Sequence, residues 1–443
     1  MKTILVLGAG RSSGSLIRFL LERTTASYFQ VTVAEMDVRL AQEKTANHPN
    51  GKAIALDIQN EVQRRAAIGE SSLVISLLPP HLHLLAAQEC LGLGKHLITA
   101  SYVSPELMAM DKAVREKDLL FLGECGLDPG IDHMSAMEII GRLKKQGATL
   151  TAFRSYTGGL VAPEYIDNPW GYKFTWNPRN VILAGQGTAR YIQDGKYRYI
   201  PYPRLFSESV RVHVSGHGRF DGYANRDSLA YREHYGLNDI PTLLRGTLRS
   251  EGFCSAWQVF VTLGLTDDSF ALEGSGSMTY RDFVDAFLPA GTPGADIEEK
   301  IARFCRIDPE GPSMERIRST GILEDVPIGL QKATPAQILQ HLLQQKWVLK
   351  EGDLDMVVMQ HEFEYTLNGT SKKLNSTLVV KGINNTETAM ARTVGLPLGI
   401  VALEVLQGRI SKRGVCLPLN EEIYTPVLNG LSQEGISFTE SEG

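Results

Sequence analysis

The chain has 443 residues, 43% of them apolar and 21% charged, and a formal net charge of −5 at pH 7. A chain of this length is too long to fold around one hydrophobic core, so two or three domains are expected. The negative charge gives no electrostatic basis for binding nucleic acid or an anionic membrane surface. No apolar run reaches the roughly 20 residues that cross a bilayer, and no signal-peptide pattern is present, so we expect a cytoplasmic protein.

The cysteines and histidines do not indicate a metal site. Five cysteines are scattered along the chain and form no Cys-x-x-Cys pair, so neither disulfides nor structural zinc are expected. His81 and His83 flank Leu82, but no further ligand cluster accompanies them. We therefore predict a surface pair at the start of a helix and no metal cofactor.

The N-terminal residues predict a dinucleotide-binding unit. A branched apolar run at 3–7 precedes a glycine-rich turn at 8–14, and apolar residues at helical spacing follow. Gly8 permits the tight turn, and Gly10 lets the backbone approach a pyrophosphate at the helix N-terminus. Ser13 stands where a third glycine usually falls and is small enough for close packing. Cofactor contacts are expected from Gly8, Ala9, Gly10, Arg11, Ser12 and Ser13.

The end of the second predicted strand bears on the choice between NAD and NADP. Residues 31–34 read as a strand, and Glu35, Met36 and Asp37 follow it. A carboxylate at this position can bind the ribose hydroxyls and repels a 2′-phosphate. Arg39 is near but follows the acidic pair. We therefore predict contacts from residues 35–37 and a preference for NAD over NADP, the alternative being that Glu35 is a solvated charge.

Further strand–helix units extend the sheet. Strands are predicted at 53–56, 73–78, 96–99 and 119–122, with helices between them. This alternation implies a doubly wound parallel sheet, in which ligands bind beyond the carboxyl ends of the strands. At these ends we expect cofactor contacts from Asp57, Ile58, Leu78, Thr99 and Ala100.

The pattern changes after Gly130. Strands are predicted at 149–156 and 210–214, and a hairpin is predicted about Asn368-Gly369, which favours a type I′ turn. These strands indicate one mixed or antiparallel sheet. A largely helical insertion at about 232–347 interrupts it.

The domain organisation follows from the last strong helix. Residues 389–407 are too apolar for a surface helix, so we predict that it packs on the N-terminal domain. The predicted fold class is α/β. A discontinuous Rossmann domain would comprise 1–128 and 388–443, and a mixed α/β substrate-binding and dimerisation domain would comprise 129–387.

Hydride transfer needs an acid/base group near the nicotinamide and charges that hold the substrate. Tyr102 and Asp128 follow predicted strands, which places them at the ligand edge of the sheet. Asp128 before Pro129 is also a common helix N-cap pattern. Arg226 and Arg249 are equally consistent with surface ion pairs.

At these residues the sequence resembles the saccharopine dehydrogenase family of the glutamate-forming type. The run from Gly126 to His133 is the most diagnostic, and the resemblance extends from the first strand to about residue 250. The other shared stretches are 100–105, 155–164, 168–174, 223–226 and 245–249.

The resemblance implies a homodimeric enzyme of lysine metabolism. Family members join 2-aminoadipate 6-semialdehyde to glutamate, and reduce the imine to saccharopine with NAD(P)H. It gives Tyr102 and Asp128 the acid/base positions. It implies substrate contacts from Ser101, Tyr102, Asp128, Arg226, Thr247, Leu248 and Arg249, and cofactor contacts from Leu127, Asp128, Pro129 and Thr175.

Two departures and two alternatives bear on this interpretation. Thr157 stands where family members often carry cysteine, and residues 35–37 stand where NADP-using members carry Cys-Arg-Thr, which favours NAD. One alternative is a carboxynorspermidine synthase, but a diamine calls for acidic residues where Arg226 and Arg249 stand. The other is a non-catalytic NAD-binding regulator, which would need no such substrate clamp.

Overall fold

The computed structural model describes residues 2–442, except the side chains of residues 25–27. The chain divides into two compact units. The first comprises Met1–Thr149 and Leu378–Thr439, and the second comprises Leu150–Thr377 and Glu440–Gly443. The terminal residues 1 and 443, which fall in the predicted first domain, lie outside the described range.

The first unit contains a seven-stranded sheet in which all neighbouring strands are parallel. Its strands are short runs of branched apolar residues, and the helices between them cover both faces of the sheet, so these residues are buried. This confirms the predicted doubly wound fold. In spatial order, the strands are Gly414–Cys416, Leu120–Leu122, His96–Thr99, Leu73–Ser76, Lys2–Leu7, Phe29–Glu35 and Gly51–Ala55.

The helices of the first unit include two that follow the second unit in sequence. Ala389–Leu406 packs against Gly14–Ser27, as predicted. It is long and apolar enough to cross a membrane, but 72% of it is buried inside the protein, which accounts for its composition. The helices are Gly14–Ser27, Val38–Thr45, Glu61–Gly69, His83–Leu93, Pro105–Met108, Asp111–Glu116, Ile131–Lys145, Ala389–Leu406 and Glu421–Gln433.

The first unit extends beyond the boundary at 128 that the sequence suggested. The helix Ile131–Lys145 packs against Glu421–Gln433 and buries one face there. It therefore belongs with the parallel sheet.

The second unit is built on a nine-stranded mixed sheet, and the predicted hairpin about Asn368 and Gly369 is present. Both turn residues have positive φ, of 51° and 78°, as a type I′ turn requires. The strands are Thr149–Val161, Thr188–Gln193, Lys196–Pro201, Val210–Val214, Gly218–Ala224, Thr242–Ser250, Asp355–Leu367, Thr370–Lys381 and Thr439–Glu442.

The helical insertion begins later than predicted. Thr242–Ser250 lies inside the predicted range 232–347, yet it is a central strand between Gly218–Ala224 and Thr149–Val161. It is buried on both faces, so it has no alternating pattern. The helices are Pro178–Ile182, Tyr231–His234, Phe253–Leu263, Tyr280–Asp285, Ile297–Cys305, Pro312–Ser319 and Pro335–Lys346.

Candidate functional site

The glycine-rich turn follows the strand Lys2–Leu7 of the first unit. Gly8 has φ +102°, and a Cβ there would lie 3.2 Å from the carbonyl oxygen of Leu77. A Cβ at Gly10 would meet nothing within 4 Å, so this side of the turn is open. The turn leads into a 3-10 turn at Arg11–Ser13 and then into a helix. An open glycine turn at a helix N-terminus fits the pyrophosphate of a dinucleotide.

The carboxylate of Glu35 is held by the glycine turn. One of its oxygens accepts the N–H of Ala9 at 2.8 Å, and the other accepts the N–H of Met36 at 2.8 Å. Asp37 caps the following helix through the N–H of Arg39 and pairs with its guanidinium. Arg11 is exposed at the turn, and the Arg39 side chain is 80% exposed. Two exposed cations therefore accompany the acidic pair.

Two loops of the first unit meet beyond the carboxyl ends of the parallel strands. The N–H of Cys125 donates to the carbonyl of Thr99 at 3.1 Å, and the N–H of Glu124 donates to the carbonyl of Ser101 at 2.9 Å. These bonds join the loop that carries Tyr102 to the loop that carries Leu127, Asp128 and Pro129. The structure thus brings the two expected acid/base residues onto adjoining segments.

A buried ionisable cluster fixes both loops. His133 Nε2 lies 2.9 Å from a carboxylate oxygen of Glu124, whose other oxygen accepts the N–H of Val103 at 3.2 Å. Asp132 Oδ2 lies 3.6 Å from His133 Nδ1, and Asp132 Oδ1 accepts the N–H of Gly130 at 2.6 Å. Glu124, Asp132 and His133 are 4%, 2% and 0% exposed. Each carboxylate therefore links the imidazole to the backbone of a different loop.

Asp128 is not the cap of the helix that follows it. The N-cap of Ile131–Lys145 is Gly130, whose N–H is bound by Asp132. The Asp128–Pro129 peptide bond is cis, and Asp128 is half-buried. The local N-cap interpretation of Asp128 is therefore wrong, because the chain bends for two further residues before the helix starts.

The pair His81 and His83 is not a surface pair. His81 is exposed, but His83 is 7% exposed and lies between the hydroxyls of Ser76 and Ser101. Its helix also buries Ala86, Ala87 and Cys90. The spacing of these apolar residues places His83 on the same buried face of the helix. This pattern in the sequence could have predicted the burial of His83. No group of three or more possible metal ligands occurs within residues 2–442.

The other expected cofactor residues of the first unit lie at strand ends. Asp57 accepts the N–H of Gln59, and Ile58 is buried. Leu78 is partly buried, and Thr99 accepts the N–H of Ser101 through its hydroxyl at 3.2 Å. A side chain at Gly126 would overlap Ala100. Thr99 is the last residue of its strand, and the others follow parallel strands.

In the second unit, the strand Thr242–Ser250 carries the predicted segment 247–249. Arg249 is 3% exposed, and its guanidinium lies 5.4 Å from the ring centre of Tyr172 and 5.8 Å from that of Tyr223. It also donates to the carbonyl of Leu248 at 3.0 Å. Among residues 2–442, no carboxylate forms an ion pair with Arg249. A buried cation of this kind is suited to an anionic ligand.

Two buried hydroxyls of the second unit are also suited to a ligand. Thr157 is aligned with Thr247 on the neighbouring strand, and its hydroxyl has no hydrogen-bond partner in the part of the chain that the structure describes. The same holds for the hydroxyl of Thr175. Buried polar groups are normally paired, so these two hydroxyls are available to a polar ligand, and Thr175 is one of the residues from which cofactor contact is expected.

Arg226 and Lys173 have different surroundings from Arg249. Arg226 is exposed, lies beyond the end of Gly218–Ala224 and has φ +45°. Lys173 is 1% exposed and pairs with Asp353 at 2.6 Å and Asp167 at 2.9 Å. Lys173 therefore has a structural role, whereas Arg226 remains a candidate for substrate binding.

Comparison with known proteins identifies the family. A model of the saccharopine dehydrogenase NADP binding domain matches residues 4–122, and one of the saccharopine dehydrogenase C-terminal domain matches 126–436. The saccharopine dehydrogenase [NADP(+), L-glutamate-forming] of Schizosaccharomyces pombe is 31% identical over 448 residues, which cover 99% of each chain. The mitochondrial alpha-aminoadipic semialdehyde synthase of Bos taurus is 35% identical, and the match covers 99% of this chain and 47% of that one.

A solved structure agrees with these relatives. The apo saccharopine dehydrogenase (L-Glu forming) of Saccharomyces cerevisiae matches with a TM-score of 0.89 and 29% identity over 100% of both chains. These comparisons favour the saccharopine interpretation over the carboxynorspermidine synthase and regulator alternatives.

The comparisons also correct the cofactor. The prediction that NAD is favoured is wrong, because the matching domain model and the Schizosaccharomyces pombe relative both carry the name NADP. The physical reason is that both oxygens of Glu35 are held by backbone N–H groups, while Arg11 and Arg39 offer exposed positive charge. The chain belongs to the saccharopine dehydrogenase family, whose members are oxidoreductases that act on CH–NH bonds.

Proposed function

We propose that this protein is an NADP(H)-dependent saccharopine dehydrogenase of the glutamate-forming type. It condenses the amino group of glutamate with the aldehyde of 2-aminoadipate 6-semialdehyde, releases water and reduces the imine to saccharopine; the reverse reaction also lies within its chemistry. The names of the relatives support this substrate pair. The single observation that carries the proposal is the joining of the Tyr102 and Asp128 loops beyond the parallel strands.

The residues of the first unit fit the cofactor. The N–H groups of the glycine turn at 8–13 would hold the pyrophosphate, and Arg11 and Arg39 would pair with the 2′-phosphate. The ends of the parallel strands, at Asp57, Leu78 and Thr99, would line the remaining dinucleotide. When bound, NADPH supplies the hydride that reduces the imine.

Tyr102 and Asp128 carry the proton transfers in this proposal. Imine formation requires that a proton reach the hydroxyl that departs as water and that another leave the amine nitrogen. A phenol and a carboxylate on adjoining loops provide one donor and one acceptor. The cluster of Glu124, Asp132 and His133 holds these loops through the N–H groups of residues 103 and 130, which limits their movement.

The substrate is an amino acid with several carboxylates, so it requires cations and hydroxyl donors. Arg226 and Arg249 provide guanidinium groups, and a guanidinium can bind a carboxylate through two parallel hydrogen bonds. Ser101 and Thr247 provide hydroxyls. Thr157 provides a hydroxyl where the family often has a thiol, so no thiolate is required at that position.

The test is NADPH consumption with the semialdehyde and glutamate together, compared with each substrate alone. We expect consumption only with both. Aspartate semialdehyde with a diamine serves as the control for the related condensation. Consumption with the diamine pair and none with glutamate would contradict the proposal.

We also propose that the protein is a cytoplasmic homodimer. The resemblance to the family supports the dimer, and the composition supports the compartment. Light scattering coupled to size-exclusion chromatography and cell fractionation test the two statements. A monomeric mass across the concentrations used in the assay, or recovery of the protein with membranes, would contradict them.

A further inference from the structure

The imidazole of His83 is bonded at both nitrogens to serine hydroxyls. Nδ1 lies 2.8 Å from Ser76 Oγ, and Nε2 lies 2.7 Å from Ser101 Oγ. His83 is 7% exposed and Ser76 is 0% exposed. The ring cannot turn without breaking both contacts.

The fold places the two serines at the same edge of the sheet. Ser76 is the last residue of its strand and pairs in register with Thr99, the last residue of the neighbouring strand. Ser101 follows Thr99 by two residues, and its N–H donates to the Thr99 hydroxyl at 3.2 Å. His83 begins the helix that follows the Ser76 strand, so it bridges two strand ends at the ligand edge.

Burial determines the charge of this imidazole. Burial, and to a smaller extent the nearby His81, lower the pKa of His83 to about 4. The ring is therefore neutral near pH 7, with one N–H and one lone pair. Since a neutral ring can donate only once, the two serines must have opposite roles: one donates to the ring and the other accepts from it.

We propose that His83 is a positioning residue that holds the Ser101 hydroxyl so that it donates to a carboxylate of the amino-acid substrate. In this arrangement Ser76 donates to Nδ1, and the Nε2–H group of His83 donates to Ser101 Oγ. The O–H of Ser101 then remains for the substrate. The inference rests on the proposed function, because the resemblance is what gives Ser101 a substrate-binding position.

The relay predicts a loss of substrate affinity with little loss of chemistry. Ser76→Ala removes only the distal hydroxyl, so Tyr102 and Asp128 are untouched. Because a misplaced Ser101 loses part of its hydrogen bond to the charged substrate carboxylate, the KM for saccharopine should rise by about 3–10-fold. The kcat and the KM for NADP⁺ should stay near wild type. A lower kcat with an unchanged KM for saccharopine would overturn the proposal.

Ser71→Ala is the matched control. Ser71 is a buried serine of the same unit whose hydroxyl donates to the carbonyl of Ile68, away from the relay. Its variant should keep the wild-type KM. If Ser76→Ala lowers the urea midpoint as Ser71→Ala does and leaves KM unchanged, the relay is only structural and the proposal fails.

A double-mutant cycle tests whether Ser76 acts through Ser101. In a Ser101→Ala background, Ser76→Ala should have no further effect on the KM for saccharopine, because the hydroxyl that it positions is gone. Full additivity of the two changes would overturn the inference.

The tautomer of His83 can be measured without any substrate. ¹⁵N NMR of the histidine side chains should show a neutral His83 ring with its proton on Nε2, identified by loss of the signal in His83→Gln. A proton on Nδ1 would overturn the donor assignment. If the wild-type protein failed to oxidise saccharopine, the proposed function would fall, while this spectrum would still decide the direction of the relay.

Discussion

The guanidinium of Arg39 is joined to the carboxylate of Asp37 by hydrogen bonds of 2.9 and 2.8 Å, directly after the strand Phe29–Glu35. The Arg39 side chain is 80% exposed. A cation thus lies beside the acidic residues at the strand end where the ribose of a dinucleotide is normally bound.

Arg39→Ala should weaken the binding of NADPH. The change removes the cation that is paired with Asp37 and leaves Arg11 alone to offset the acidic pair, so a 2′-phosphate would be held less strongly. Loss of a charge-assisted pair predicts a KM for NADPH about 10-fold higher, with the KM for NADH little changed. Lys112→Ala, at a 90% exposed lysine of the same unit, is the control. Equal changes in both Michaelis constants would contradict a contact with the 2′-phosphate.

Asp128→Asn should reduce the rate without reducing stability. The substitution removes the titrating proton site of a proposed acid/base group, so kcat should fall by about 10²–10⁴-fold and the pH–rate profile should lose a limb. Because Gly130 is the N-cap and Asp132 binds its N–H, the free energy of unfolding should hold. A near-normal rate with an unchanged pH profile would remove Asp128 from the mechanism.

Asp132→Ala is the comparison for Asp128→Asn, because it should lower stability. It leaves the N–H of Gly130 without its buried acceptor and removes the carboxylate that lies 3.6 Å from His133 Nδ1, which predicts a loss of about 1–3 kcal/mol in the free energy of unfolding. Urea unfolding measures both variants. The two substitutions thus separate a proton-transfer role from a structural role within one loop.

Arg226→Ala should lower substrate affinity and leave cofactor affinity unchanged. Arg226 is exposed, so its removal should cost little stability, whereas loss of a guanidinium–carboxylate pair predicts a KM about 10–100-fold higher for saccharopine. Arg219→Ala, on the same segment and 65% exposed, is the control. If fluorescence titration showed that NADPH affinity falls as much as substrate affinity, Arg226 would be structural.

The parallel sheet could be predicted from the sequence because its signals are local. The apolar strands and the apolar helix Ala389–Leu406 can be recognised from the spacing of their own residues, and the glycine turn from its own short motif. The seventh strand, Gly414–Cys416, was not predicted because three residues carry no measurable period.

Local patterns do not predict the strand Thr242–Ser250 of the second unit, because it is buried in the middle of its sheet. Thr242–Ser250 holds Arg249, for which the sequence leaves a surface ion pair open, and Arg245, yet both are buried against aromatic rings. Their environment depends on Tyr231 and Tyr172, which are distant along the chain. No local pattern contains that information.

The candidate site can be predicted from the sequence only in part. The place of Tyr102 and Asp128 at the ligand edge can be predicted because both follow strands, whereas their acid/base role comes from the family resemblance. The predictions made from Glu35 and His83 are wrong because they depend on contacts in the folded chain. The carboxylate of Glu35 accepts the N–H groups of Ala9 and Met36, and His83 is buried.

The Lys173 network predicts a loss of stability in acid. Hydrogen bonds from Lys350 and Lys173 lower the pKa of Asp167 to about 2, from an ordinary value of 3.8. A lowered folded-state pKa stabilises the protein above the unfolded value, and this contribution is lost as pH falls from about 4 to about 2.

Asp167→Asn should therefore show a pH-dependent difference from wild type. The difference in the free energy of unfolding should be constant at neutral pH and shrink as pH falls through this window. It should be small, because the Asp167 side chain is 38% exposed and solvent screens the pair. Urea unfolding across the pH series measures it. A difference that persists unchanged at the acid end would contradict the assignment.

The proposed activity is the oxidation of saccharopine at its C–N bond. The direct measurement is incubation of the purified protein with saccharopine and NADP⁺, with NADPH followed by absorbance and products identified by mass spectrometry. We expect NADPH, glutamate and 2-aminoadipate 6-semialdehyde in equal amounts, with Asp128→Asn as the inactive comparison. No NADPH formation under conditions in which the protein is folded and binds NADP⁺, or release of lysine and 2-oxoglutarate instead, would contradict it.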